Sequence, residues 1–589
     1  MEDINFLRPY QKLIGLALII AFCFIVSLPI LQAGFYSDDI TNSVIPGTIT
    51  LYQQGFWGFV VLNMQTWLSS GRLFPLSVIS SVAMFYFFPA VHDYQIVRSL
   101  FIWMSILSCA WLVKTLTKNF AAAMLFIFLM PLCWSVRNAP DPLTSFAIFL
   151  PLMVTFIAWT LIFYRYYQVT QKQKFLIFSI ITFSCALCTY EIGSVAFFLL
   201  MTLMYCKPIN NQSLRTEIKP YFILFSAYLI INLLLHFMSK QAYDGIQIHL
   251  TTQFFPAFIA QFTAALPLSY FLFAPHPIIS ITEVLNNYLW AMIYLLLAGT
   301  GIIYWLLHQL VLTKRSCVCF SIMALFLMMV PAFIMAINLK YQFILRLGIG
   351  YIPVYIQYTG MGFILLAGLG SLNLLPLSIN TKRGIHLLLA SVLSIVITLA
   401  TLVNLATINH INDKYKFNRG LVENAARHGL LASLPDQSYL IENLLLWNSP
   451  DFYMLNAHKT LAGVIDVRDT HKLMVFDKHN KLSSHHKYFI SSFHLPGSQF
   501  GYVLLGHAKW AQVKNLKNNM PLTKAIFMTD PQLFIAAGPA SQRIEILQNL
   551  QQQLNLSPEV IKAIALLYEK NAQDWLVTPL PAGNYRLII

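Results

Sequence analysis

The sequence predicts an all-α polytopic membrane bundle followed by a C-terminal α+β extracytoplasmic domain. Three observations carry that prediction. Of the 589 residues, 57% are hydrophobic and 10% are charged, against roughly 25% charged in an average soluble domain. A water-soluble fold so poor in charge leaves a wide apolar surface wet, and a bilayer removes that cost. Apolar runs of spanning length recur up to Ile408, after which the composition turns mixed, mildly basic and rich in turn residues. The net charge of +15 is scattered between the apolar runs. That pattern suits anionic headgroups and basic cytoplasmic loops, and it lacks the clustered basic face that nucleic-acid binding needs.

The first run, Leu13 to Ala33, follows Arg8 and Lys12 and lacks a small-x-small cleavage site, so it reads as a retained anchor with a cytoplasmic N-terminus. Further spans are predicted at Gln95 to Val113, Asn119 to Val136, Leu143 to Tyr164, Phe175 to Tyr190 and Ile192 to Cys206. Tyr221 to Met238, Tyr288 to Leu310, Cys317 to Ile337, Ile352 to Leu372 and Ile385 to Ile408 complete a set of about eleven. Basic residues decide this count. Every second gap is basic: Lys114 and Lys118; Arg165, Lys172 and Lys174; Lys207, Arg215 and Lys219; Lys314 and Arg315; Lys382 and Arg383. The opposite loops, though longer, hold Arg72, Arg137, Lys240, Lys340 and Arg346. This is the positive-inside asymmetry.

The same asymmetry separates Phe175 to Cys206 into two short helices meeting at Glu191 on the outer side. It also keeps Leu73 to Val91 from spanning, within a large first outer loop of residues 34–94. The Pro-broken stretch Phe254 to Phe273 is read the same way, and irregular backbone at that depth implies a watery cavity opening outward. Residues 1–408 thus form the membrane domain and 409–589 a periplasmic domain, since an odd number of spans exports the tail. In that tail Asn418 to Leu434 reads as an amphipathic helix and Ser557-Pro558-Glu559 as a helix start. Tyr502 to Leu505 and Tyr585 to Ile589 read as strands.

All eight cysteines lie in or beside apolar segments, so the tail carries no disulfide. Cys185-x-x-Cys188 lacks a thioredoxin-like βαβ setting and reads as small apolar filler. His485-His486 has neither Cys partners nor helical His spacing, so surface histidines are the simpler reading.

The segment most suggestive of chemistry is Phe35-Tyr36-Ser37-Asp38-Asp39, where the chain leaves its first span. Adjacent carboxylates there are either a solvated helix start or functional. Arg72, the Arg137-Asn138-Ala139-Pro140-Asp141 loop, Glu191, Lys340, Arg346 and the aromatics Tyr351 and Tyr355 fall on the same side. Carboxylates, cations and aromatics on one face suit an enzyme that joins a lipid-phosphate donor to a hydroxylated acceptor.

The acidic first loop, the basic turn and the returning outer Arg-x-x-Pro-Asp loop together resemble the GT-C superfamily of polyprenyl-phosphate-sugar-dependent membrane glycosyltransferases. The likeness, to bacterial members that modify O-antigen or other envelope glycans, spans roughly Leu13 to Ile408. It implies Asp38 or Asp39 as the base on the acceptor, its neighbour orienting it or holding a divalent cation. It also implies Arg72 and Arg346 on the phosphate and Tyr36, Tyr351 and Tyr355 on sugar faces. Arg137, Asp141, Glu191 and Lys340 would complete substrate binding. The partners implied are a polyprenyl-phosphate-linked sugar, a glycan or glycolipid acceptor and the bilayer, with no nucleic acid. Rival readings are a transporter or flippase, a glycan polymerase or ligase, and an envelope scaffold. Against a transporter, the notable acids sit at loop-helix borders on one side and no internal repeat is evident.

Overall fold

A computed structural model of the chain describes residues 9–43, 45, 46, 49, 55–138, 141–146, 148–206, 211–239, 250–274, 279–414, 416–430, 439–442, 487–495, 498, 500–511, 525–571 and 573–588. Arg8, Ala139, Pro140, Lys207, Lys240 and His485-His486 lie outside the described residues.

The helices begin with α1 (Pro9–Gln32), α2 (Asp38–Asn42), α3 (Phe56–Ser69), α4 (Pro75–Phe87), α5 (Val91–Thr117) and α6 (Phe120–Cys133). They continue with α7 (Phe149–Thr170), α8 (Gln173–Thr189), α9 (Val195–Tyr205), α10 (Asn211–Met238), α11 (Phe254–Thr263) and α12 (Ser269–Phe273). Next come α13 (Ile281–His308), α14 (Lys314–Ala336), α15 (Leu339–Ile344), α16 (Val354–Asn373), α17 (Ile379–Lys414) and α18 (Lys416–Arg427). The tail adds strands β1 (Tyr439–Glu442), β2 (Lys487–His494), β3 (Gly501–Ala511), β4 (Ala525–Ala536), β5 (Trp575–Pro579) and β6 (Asn584–Ile588). Helices α19 (Ala540–Leu554) and α20 (Pro558–Lys570) lie between β4 and β5.

Each expected span coincides with a helix, but among the described residues seven helices are long and apolar enough to cross a membrane: α5, α7, α10, α13, α14, α16 and the described part of α17. Helices α6, α8 and α9 are shorter, as is the described apolar part of α1, Ala17–Gln32. A 14-residue helix such as α6 rises only about 21 Å, against about 30 Å of hydrocarbon. Helix α6 is apolar on every side, and from Ala121 to Cys133 every residue but the half-buried Met124 is buried. That is the signature of a helix enclosed by others, here α13 and α16. Helix α10 is the opposite case: Phe222, Ile223, Ile230, Leu234 and Phe237 are exposed, as lipid-facing residues are in a bilayer. The break at Glu191 is as expected. Tyr190 is fully extended, and a 3₁₀ turn over Glu191–Ser194 starts the returning helix.

The chain divides into two compact units, Met1–Ala33, Val60–Ser81 and Gln95–Ile408 in one, Gly34–Phe59, Val82–Tyr94 and Asn409–Ile589 in the other. The expected first loop, 34–94, is therefore divided between them.

Within the first unit the loops sort into two sets by their bonds. Asn119 donates to Gln309 O, Asn373 to Leu310 O, and Lys382 Nζ to Asn373 O. These residues belong to the basic gaps. In the other set Ser239 donates to Ser69 O, Arg137 to Ala264 O and Thr251 to Gln342 Oε1. The grouping is that read from the positive charges.

In the second unit β1 runs parallel to β2, while β2, β3, β4 and β5 are antiparallel and β6 pairs with the other half of β4. Period-two residues Tyr502, Leu504, Leu533 and Ile535 face Ile546, Leu550 and Leu554 of α19 and Ile564 and Tyr568 of α20. Ser557 caps α20 by accepting the Val560 N–H. The expected strands fall in β3 and β6, and the expected amphipathic helix is α18, which ends earlier, at Arg427.

Candidate functional site

Two clusters of candidate residues form, one in each unit. In the first, Arg72 and Glu191 meet across 119 residues of sequence: Nε donates to Oε1 at 2.7 Å and Nη2 to Oε2 at 2.9 Å. The fork is bidentate, the geometry guanidinium and carboxylate share best. Arg72 also lies over the rings of Phe74 and Trp67, 4.5 and 5.4 Å from their centroids. Stacked and paired, its orientation is set before any ligand arrives.

Two glycines make this approach possible. Gly71 takes φ +85°, and a Cβ there would sit 3.2 Å from His236 Cα. At Gly193 a Cβ would fall 2.1 Å from the Ala186 carbonyl oxygen. Backbone cannot yield by that amount without moving the 3₁₀ turn that carries Glu191. Gly193→Ala is expected to cost about 1–3 kcal/mol, as overpacked cores do, seen as a lower Tm in detergent. An unchanged Tm would mean that this turn is pliable.

The Arg72–Glu191 pair borders a cavity of about 230 Å³. Tyr190 and Ile192 line it on one side, Leu229, Asn232, Leu233 and His236 of α10 on another, and Met335, Asn338 and Tyr341 on a third. The walls are thus mainly apolar with a charged rim. His236 Nδ1 is buried and has no partner among the described residues. Tyr341 packs on Tyr351 with the rings tilted, at 4.5 Å between centroids, and the Tyr351 N–H donates to Gln261 Oε1 at 2.7 Å. Lys340 is half-buried and Arg346 exposed, and neither is among the lining residues.

In the second unit the adjacent acids part company. Asp38 is exposed, whereas Asp39 is fully buried and accepts a hydrogen bond from the Tyr94 hydroxyl on Oδ2. Phe35 and Phe85 pack on the Tyr94 ring, at 4.9 and 5.2 Å between centroids. Ser37 enters α2 at φ 53°, a conformation that non-glycine residues seldom adopt. Among the described residues no group of three His, Cys, Asp or Glu side chains forms a metal cage. An exposed Asp38 and an enclosed Asp39 lie in different surroundings and do not fit a resident divalent cation.

Four expected substrate contacts are corrected. Arg137 is 1% exposed, and its guanidinium donates to Ile349 O, to Ala264 O at 2.8 Å and to Tyr358 Oη at 3.3 Å. Asp141 accepts the N–H groups of Arg137, Leu143 and Thr144 and the Thr144 hydroxyl. Burial raises its pKa, opposed by Arg137 and these donors. The two residues hold loop backbone together and are sealed from a substrate. Tyr36 is buried, with its hydroxyl on Asn412 Oδ1 at 2.6 Å. Tyr355 is buried against Ser105, hydroxyl to hydroxyl, at 2.7 Å. Neither ring face is open to a sugar.

Arg98, inside the second predicted span, is not among the expected site residues. It is fully buried, donating to Thr144 O at 2.6 Å and Ile30 O at 2.8 Å. An arginine within an apolar run is signal enough to single it out. His236, near the end of an apolar run, offered a weaker version of the same signal.

No protein-family model and no curated protein sequence matches the chain. Among solved structures the chain is similar to the crystal structure of ArnT from Cupriavidus metallidurans bound to undecaprenyl phosphate. The identity is 12% and the TM-score 0.40, over 81% of this chain and 93% of that one.

Proposed function

We propose that this chain is a membrane glycosyltransferase that moves a sugar from a polyprenyl-phosphate donor to an envelope glycan or lipid acceptor. It works at the periplasmic face of a bacterial inner membrane, with its N-terminus in the cytoplasm and its C-terminal domain in the periplasm. The observation that carries the reading is the apolar cavity with the paired, stacked Arg72 at its rim. A polyprenyl phosphate has the matching anatomy, a hydrocarbon chain ending in an anion. Glu191 uses two of the five guanidinium N–H donors and so orients Arg72 toward the phosphate.

In the reaction the acceptor hydroxyl oxygen attacks the anomeric carbon. Its proton passes to a carboxylate of the Asp38-Asp39 pair, and the bond from that carbon to the phosphate oxygen breaks. The bonding electrons leave on polyprenyl phosphate, whose charge Arg72 balances. A single displacement inverts the anomeric configuration. The leaving phosphate needs little protonation, so one base suffices. Exposed Asp38 is assigned the proton and enclosed Asp39 the positioning of α2. Tyr351, half-buried, carries the sugar-facing role, with Tyr341 packed behind it. No step passes through a metal ion. The C-terminal domain shapes the acceptor entrance or binds a partner.

The test is mass analysis of envelope glycans and glycolipids from cells with and without the gene. A mass difference of one sugar, restored by the wild-type gene, is the expected result. Unchanged glycans with altered solute uptake would replace this reading with transport.

A further inference from the structure

At the basic end of the first unit lies a second cavity, of about 250 Å³, far in chemistry from the one at Arg72. Four stretches that are separate in sequence build it: Thr117 at the end of α5 with Lys118 after it, Arg165 on α7, Cys206 after α9, and Thr313, Arg315 and Ser316 at the start of α14. It is lined by three cations, Lys118, Arg165 and Arg315, and by no carboxylate. None of the three forms an ion pair among the described residues. Arg165 Nη1 has a neutral partner, Gln168 Oε1, at 3.0 Å.

Three like charges around one hollow repel each other, and a protein tolerates that arrangement when an anion balances them. Other features point the same way. Thr313 Oγ1 accepts the Ser316 N–H at 3.1 Å and caps α14, so the positive end of that helix's dipole faces the cavity rim. Lys118 adopts φ 58°, a backbone that Gly or Asn takes more readily. Leu116, Leu203 and Phe320 complete the wall on the apolar side. A free inorganic ion has no use for such a wall, whereas a phosphate ester with a hydrocarbon portion does.

We propose that this cavity is a phosphate-ester site, built to hold the headgroup of an anionic lipid at the basic end of the bundle. Lys118, Arg165 and Arg315 bind the phosphate oxygens, and the apolar wall takes the first carbons beyond it. The site is separate from the sugar-transfer reading and stands or falls without it.

The test uses the full-length chain in neutral detergent, with Tm read while phosphatidylglycerol, phosphatidylcholine or glycerol phosphate is added. Native mass spectrometry counts bound lipid in parallel. Phosphatidylglycerol is expected to raise the Tm by several degrees and to bind at least fivefold better than phosphatidylcholine. Arg165→Gln/Arg315→Gln should abolish the preference, and Lys118→Gln alone should weaken it severalfold. Lys172→Gln/Lys174→Gln, which changes exposed residues outside the cavity, should leave it intact. Equal stabilisation by glycerol phosphate would keep the phosphate site but make a soluble ester its ligand. If the double variant fails to fold, Arg315→Lys with Lys118→Gln is read instead. No preference for phosphatidylglycerol and no response to glycerol phosphate would overturn the proposal. A preference that survives the cavity variants would do the same.

Discussion

Asp38→Asn is expected to lower sugar transfer by roughly 10²–10⁴-fold, the range lost when a positioned general base is removed. Asn matches the shape of the exposed Asp38 side chain, so membrane insertion and Tm should stay close to the wild type. Asp39→Asn tests a different dependence. Asn keeps an oxygen that can accept the Tyr94 hydroxyl but drops the negative charge, so the segment folds while its electrostatics change. A smaller loss, roughly 10-fold or more, is expected there, and Tyr94→Phe should reproduce part of it by removing one hydrogen bond from the carboxylate. Glycan mass analysis in cells complemented by each variant reads all three. Normal glycan modification by both Asn variants would remove the acids from the mechanism.

Arg72→Lys is expected to reduce kcat/KM for a polyprenyl-phosphate sugar by about 100-fold, equivalent to roughly 2.7 kcal/mol. Lysine keeps the charge but loses the planar fork and the stacking on Phe74 and Trp67. Arg72→Ala should in addition destabilise the chain. It strands the Glu191 carboxylate, 25% exposed, beside an apolar cavity. The expected cost is about 1–3 kcal/mol, between the surface and the buried limits for broken ion pairs. Glu191→Gln should act through orientation, with a loss of about 10-fold in kcat/KM. Arg346→Gln supplies the contrast, because Arg346 is exposed and outside the cavity lining. Transfer with Arg72→Lys at the wild-type rate, with only a lower Tm, would make Arg72 a structural staple. A large loss with Arg346→Gln would move the phosphate to that residue.

The membrane class, the positions of the helices and the sorting of loops into two sets were legible in the sequence. The reason is that each depends on local quantities, hydropathy over a window and the placement of Lys and Arg. The break at Glu191 was legible too, because one long helix would have put two basic gaps on opposite sides. Helix lengths were less so. An apolar run reads as spanning whether it meets lipid or protein, and α6 is apolar all round because other helices enclose it.

The candidate site divides along the same line. Residue type alone marked Asp38, Asp39, Arg72 and Glu191 as groups worth explaining near a membrane surface. Only tertiary structure decided that Arg72 pairs with Glu191, and that Asp39 is enclosed while Asp38 is not. It alone showed that Arg137 and Asp141 spend most of their hydrogen bonds on backbone. A charged or aromatic residue carries the same chemistry whether it faces a substrate or a carbonyl. Which of the two it meets is set by chain segments a hundred or more positions away, and no local pattern records them.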